Sequence, residues 1–98
     1  MKILITGGLG AIGAQLSAEL HHRGYTVWVC DLPHSPRPNY IRCDVADFRQ
    51  FQRVTDTVKP EFVYHLAAEF GRNNGEEHYE KVWRTNAIGT KNLLRLQE

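Results

Sequence analysis

Little in this sequence suits a metal centre, a membrane span or a nucleic-acid interface. Its 98 residues include two cysteines, Cys30 and Cys43, and one methionine. Neither cysteine belongs to a CxxC pair, and no CxxC…His spacing exists, so no metal is expected. A disulfide stays open at this point, but two buried reduced thiols in a cytoplasmic protein are the better expectation. No apolar run approaches the ~20 residues that span a bilayer. The N-terminus shows no charged-then-apolar leader, so a cytoplasmic chain without a membrane partner is expected. An excess of one charge is missing too. Lysine and arginine number 12 against 11 aspartates and glutamates, for a net charge of +1, and no basic stripe points to nucleic acid.

What is present reads as one α/β domain of ordinary globular composition. Lys2 to Thr6 (KILIT) is a continuous apolar run, the pattern of a strand buried on both faces. Ile12, Leu16 and Leu20 recur at every fourth position between Ala11 and Arg23, which predicts a helix with those three residues facing the core. Gly24 stands where a helix-closing glycine belongs. Tyr25 to Cys30 (YTVWVC) is a second strand leading into Asp31. Prolines 33, 36 and 38 impose an extended connection before a short third strand, Tyr40 to Cys43. Asp47 and Gln50 have capping-box spacing ahead of a helix that turns Phe48, Phe51, Val54 and Val58 to one side and ends at Pro60. Glu61 to Leu66 (EFVYHL) is a fourth strand, and Glu76 to Gln97 carries a long helical pattern. Buried strands alternating with helices predict a mostly parallel sheet, and right-handed crossovers give the strand order 3-2-1-4.

Glycine is concentrated where the first strand meets the first helix, in TGGLGAIG. One reading is a tight turn that reverses the chain. The other is exposed backbone that something must approach. A strand before it, a helix after it and an acid at the end of the second strand favour the approach. Gly7 then allows the turn, Gly10 admits a pyrophosphate, and Gly13 lets helix and strand pack closely. The phosphates would rest on the free N–H groups opening the first helix, at Ala11 and Ile12. Asp31 would accept the adenosine ribose hydroxyls and repel a 2′-phosphate, which favours NAD over NADP. Arg37 lies near enough to meet such a phosphate, although a surface arginine held among prolines is the plainer reading.

The spacing GxxGxxG resembles the extended short-chain dehydrogenase/reductase family, and the resemblance runs along nearly the whole chain. Cys43-Asp44-Val45 resembles the family's G-D-[IV] stretch, which implies that Asp44 and Val45 hold the adenine. His65-Leu66-Ala67-Ala68 resembles its H-L-A-A element, which implies that Leu66, Ala67 and Ala68 line the ribose and pyrophosphate. Asn86 to Leu94 (NAIGTKNLL) resembles N-x-x-G-T-x-N-L-L, which gives Asn86 a supporting role near the nicotinamide; a buried structural amide is the alternative. Leu32, next to Asp31, completes the expected adenosine contacts. His65 is read as structural, and Tyr79 and Trp83 as packing or subunit contacts. The implied fold is the N-terminal half of a Rossmann-type, doubly wound, three-layer α/β/α domain.

The family's chemistry uses a Tyr-x-x-x-Lys pair. Four residues after Tyr25, Tyr40, Tyr64 and Tyr79 stand Val29, Asp44, Ala68 and Trp83, so no catalytic residue is expected within this chain. Residues 1–98 are therefore read as a truncated dinucleotide-binding domain, inactive alone, with the substrate domain elsewhere and the pair about 50 residues beyond Glu98. The resemblance implies an NAD-dependent nucleotide-sugar epimerase or dehydratase, acting by transient oxidation at the sugar C4 and working as a homodimer. After Ala68 the chain departs from its relatives, and Glu69, Arg72 and Asn74 in that loop are candidate substrate contacts, with a solvated loop as the alternative. An NADP-dependent carbonyl reductase of the same family and a non-catalytic dinucleotide-sensing module are the alternatives.

Overall fold

The structure, a computed structural model, describes residues 1–67 and 83–97. Four strands form one sheet: β1 (Lys2–Thr6), β2 (Thr26–Asp31), β3 (Tyr40–Arg42) and β4 (Phe62–His65). Their order is β3-β2-β1-β4, and every pairing is parallel. Ile3 of β1 pairs with Val27 of β2 and Phe62 of β4, while Thr6 pairs with Cys30 and His65. The parallel register brings the carboxyl ends of all four strands to one edge of the sheet. β1 is the pivot there, because the chain runs outward from it to β2 and β3, then crosses back to β4. Open α/β sheets place ligands at such a reversal point.

Helix α1 (Ala11–His22) covers one face and α2 (Phe48–Val58) the other. Alternation along β1 divides the core between these two layers. Ile3 and Ile5 join Val27, Val29 and Leu20 beneath α1. Leu4 joins Cys30, Cys43, Phe51, Val54, Val58 and Leu93 beneath α2 and α3 (Gly89–Leu96). The expected three layers and strand order are both present. The apolar stripe expected on α1 is only partly so. Leu20 is buried and Leu16 half-buried, but Ile12 is 71% exposed, and the buried positions are Gly13, Ser17 and Leu20. A four-residue repeat drifts around a helix of 3.6 residues per turn, and at Ile12 it has left the core.

Capping follows the sequence closely at α2. The Asp47 carboxylate accepts from the Gln50 amide at 3.2 Å, a contact that stabilises a helix by about 1 kcal/mol. The reciprocal half of the capping box is altered, because Gln50 Oε1 accepts from the Asp44 amide instead. Gly24, with φ +93°, closes α1 as anticipated. The long C-terminal helical pattern resolves, over its described part, into a π-helical turn (Trp83–Ile88) followed by α3. Leu93 is buried on α3, whereas Leu94 faces solvent. Tyr79 lies outside the described residues.

Candidate functional site

The site begins with the turn between β1 and α1. Gly7 has φ +70°, a conformation that side chains disfavour. The Gly10 amide donates to the Gly7 carbonyl at 3.2 Å and closes the turn. Gly13 lies under it, and a methyl group there would stand 2.5 Å from the Gly7 carbonyl oxygen. Gly10 differs. Its backbone (φ −72°, ψ 173°) suits any residue, and among the described residues a methyl group would meet only the Gly7 oxygen, at 3.5 Å. The packing of the described residues therefore gives no reason for glycine at this position. Among the described residues no side chain caps α1 at Gly10, which leaves the opening amides of the helix to water or a ligand.

A cavity of about 190 Å³ opens above this turn. Gly7 and Gly10 form its floor; Asp31 and Leu32 come from the end of β2, Asp44 and Val45 from the loop after β3, and Leu66 and Ala67 from the end of β4. Sequence reasoning brought these eight residues together. Cys30, Cys43 and Thr85 also line the cavity and were not anticipated there. Ala11, Ile12 and Gly13 sit behind the floor in the first turn of α1. Asn86 stands on the π-helical turn beside Thr85 and is exposed. Ala68, Glu69, Arg72 and Asn74 lie outside the described residues.

Asp31 ties two walls together. One carboxylate oxygen accepts from the Leu9 amide at 3.0 Å and the other from the Leu32 amide at 2.8 Å. Each oxygen keeps a second lone pair. Arg37 takes no part in the cavity lining; it donates to the Ser17 hydroxyl of α1 at 3.0 Å. Among the described residues no group of three or more histidines, cysteines, aspartates or glutamates could hold a metal ion.

Two contacts brace the remaining walls. Asn92 of α3 is buried, and its side-chain amide donates to the Val45 carbonyl at 2.9 Å. Gly89, one turn earlier, lies against the same residue, since a methyl group there would stand 2.7 Å from a Val45 methyl. Two segments of the sequence far apart thus fasten one wall. Opposite them, the buried Thr6 hydroxyl oxygen accepts from the Ala67 amide at 3.1 Å and lies 2.8 Å from His65 Nδ1. The His65 ring stacks on Phe51, and burial lowers its pKa below the usual 6.5. The Cys30 thiol is pushed upward, first by its hydrogen bond to Cys43 and then by burial. Both cysteines are free and buried, as the sequence led us to expect.

Thr6 and Asn92 are the supporting residues that sequence reasoning passed over. Asn92 lay within the quoted NAIGTKNLL stretch. Its signal was an amide placed beside apolar Leu93, on the side of α3 that faces the core.

Comparison with known proteins gives this arrangement a context. Residues 3–97 match the model of the NAD dependent epimerase/dehydratase family. A GDP-6-deoxy-D-talose 4-dehydrogenase of Aggregatibacter actinomycetemcomitans is 37% identical, over 97% of this chain and 30% of its own length. The structure of a Thermus thermophilus UDP-glucose 4-epimerase in complex with NAD superposes with a TM-score of 0.88 at 31% identity, covering 98% of this chain and 33% of that one. An L-threonine dehydrogenase from Clostridium difficile superposes with a TM-score of 0.84 at 27% identity, covering 97% and 32%. The chain thus spans about a third of the length of these relatives. No described helix is long and apolar enough to cross a membrane. With its parallel 3-2-1-4 sheet and glycine turn, the chain belongs to the NAD-dependent epimerase/dehydratase family of extended short-chain dehydrogenases/reductases.

Proposed function

We propose that residues 1–98 form the NAD(H)-binding part of a nucleotide-sugar epimerase or dehydratase. The observation that carries this reading is Gly10: a glycine with unstrained backbone and open space above it, facing a cavity at the sheet's reversal point. The pyrophosphate fits over Gly10 and the first amides of α1, at Ala11 and Ile12, where the helix dipole favours negative charge. Gly7 and Gly13 shape the turn beneath it. Asp31 receives the adenosine ribose hydroxyls on its remaining lone pairs, with Leu32 beside it. Asp44 and Val45 hold the adenine, and Leu66, Ala67 and Ala68 bound the ribose and pyrophosphate. We assign Asn86 to the nicotinamide end, and Glu69 and Arg72 as substrate contacts.

NAD, when bound, supplies a hydride acceptor. The residues of this chain bind it, orient it and keep water from its faces. None of its four tyrosines has a lysine four residues on, so we assign these 98 residues no turnover of their own. For the whole protein we propose transient oxidation at C4 of a nucleotide sugar, in a cytoplasmic homodimer. The two buried reduced thiols support a reducing compartment. The engagement of Arg37 with Ser17 favours NAD over the NADP-dependent alternative. Calorimetric titration of the intact protein with both dinucleotides tests the proposal. NAD should bind at least about tenfold more tightly, as expected of a carboxylate facing a 2′-phosphate. Tighter binding of NADP would overturn the role given to Asp31.

A further inference from the structure

We propose that His65 is a positioning residue of this pocket: through the Thr6 hydroxyl it holds the Ala67 amide, and with it the Leu66–Ala67 wall, against the glycine turn. The inference rests on the NAD reading above, which gives the wall something to bound. Thr6 is fully buried at the end of β1. Its hydroxyl oxygen accepts from the Ala67 amide, so its one hydrogen needs a different acceptor, and His65 Nδ1 lies 2.8 Å away. A proton on Nδ1 would leave that buried hydroxyl hydrogen without an acceptor among the described residues. The ring is therefore neutral, with its proton on Nε2, and the chain of donors runs from Ala67 N–H to Thr6 Oγ1 and from Thr6 O–H to His65 Nδ1.

Packing supports the same direction. Among the described residues, Thr6 of β1 and the Phe51 ring of α2, with centroids 6.2 Å apart, meet the His65 ring, and burial disfavours the imidazolium. Nε2 is itself buried without a partner among the described residues; it carries its hydrogen in the neutral Nε2–H ring and in the imidazolium alike, so the proton at Nδ1 is what separates the two states. The wall that this chain of bonds holds is in close contact with the turn. A methyl group on Gly7 would stand 2.8 Å from the Ala67 nitrogen, so displacement of Ala67 changes the cavity floor as well as its side. Protonation at Nδ1 places two hydrogens between ring and hydroxyl. The hydroxyl hydrogen must then turn away from the ring, with no acceptor among the described residues, and the chain of bonds that fixes Ala67 is weakened at its Thr6 link.

The experiment uses the intact protein. Nitrogen-15 spectra of the imidazole identify the tautomer, amide exchange follows Ala67, and calorimetry measures NAD affinity at pH about 7.5 and about 5, either side of the usual histidine value. The expected spectrum is the Nε2–H tautomer with a protected Ala67 amide. NAD affinity should fall about tenfold on acidification, the scale of one buried hydrogen bond. Thr6→Val, which keeps the shape and removes both bonds, should lose Ala67 protection and bind about tenfold more weakly at both pH values. His65→Asn, which keeps an acceptor near the Nδ1 position and cannot titrate, should bind like the parent at the higher pH and lose the pH dependence. An Nδ1–H tautomer, an Ala67 amide indifferent to Thr6→Val, or a His65→Asn protein with the parent's pH slope would each overturn the proposal. If Thr6→Val does not fold, the tautomer and His65→Asn decide. If the parent binds no NAD at all, the proposed function falls, while the tautomer and Ala67 exchange still decide the role of His65.

Discussion

Asp31 does two jobs with one carboxylate. It fixes the Leu9 and Leu32 amides, and it lines the cavity with a lone pair left on each oxygen. Asp31→Ala should therefore weaken NAD binding about tenfold or more, as expected when a charged acceptor is removed, and should narrow or reverse the preference over NADP. Parallel titrations with the two dinucleotides check this; an unchanged ratio would remove Asp31 from the site. Gly13 responds differently from Gly10. Gly13→Ala forces a methyl into contact with the Gly7 carbonyl, so it should lower the thermal midpoint of the free protein as well as its affinity. Differential scanning calorimetry without ligand separates the two positions.

At the level of elements, the walls of the cavity are as firm as the helices behind them. Asn92→Leu leaves the Val45 carbonyl without its partner, which should cost about 1–3 kcal/mol. Urea unfolding reads that loss, and NAD affinity should fall with it, since Val45 lines the cavity. Much of this scale was legible in the sequence. KILIT and YTVWVC read as buried strands because both faces of a parallel sheet are covered, and Asp47 announced α2 through its side chain. The rest depends on tertiary contacts. Ile12 keeps the spacing of a core residue, yet the first turn of α1 lies beside the glycine floor, and none of the described residues covers it. The π-helical turn before Gly89 has no composition of its own to betray it. It precedes the point where α3 must approach Val45 with only a hydrogen atom between them. Likewise, no local pattern could show that Thr6, at the end of one strand, fastens Ala67 beyond another.

For the molecule as a whole, His65 gives stability a definite dependence on acid. Burial lowers its folded pKa below the usual 6.5, so the folded state prefers the neutral ring. Its contribution is complete above pH 6.5 and declines as pH falls from there toward the lowered folded value. The thermal midpoint should drop over that window in the parent protein and drop less in His65→Asn; equal slopes would contradict this assignment. Relatives that share this architecture include a sugar-nucleotide epimerase and a threonine dehydrogenase. That range of substrates accords with the proposal that these 98 residues hold the cofactor. The most direct test of that role is calorimetric titration of NAD into the intact protein and its Gly10→Val variant. The backbone suits valine, whose Cβ would meet only the Gly7 oxygen, at 3.5 Å, among the described residues, so the far-UV spectrum should be unchanged and the cost as a helix cap about 1 kcal/mol or less. NAD binding should nevertheless be lost from the variant and clear in the parent; equal affinity in the two proteins would contradict the account.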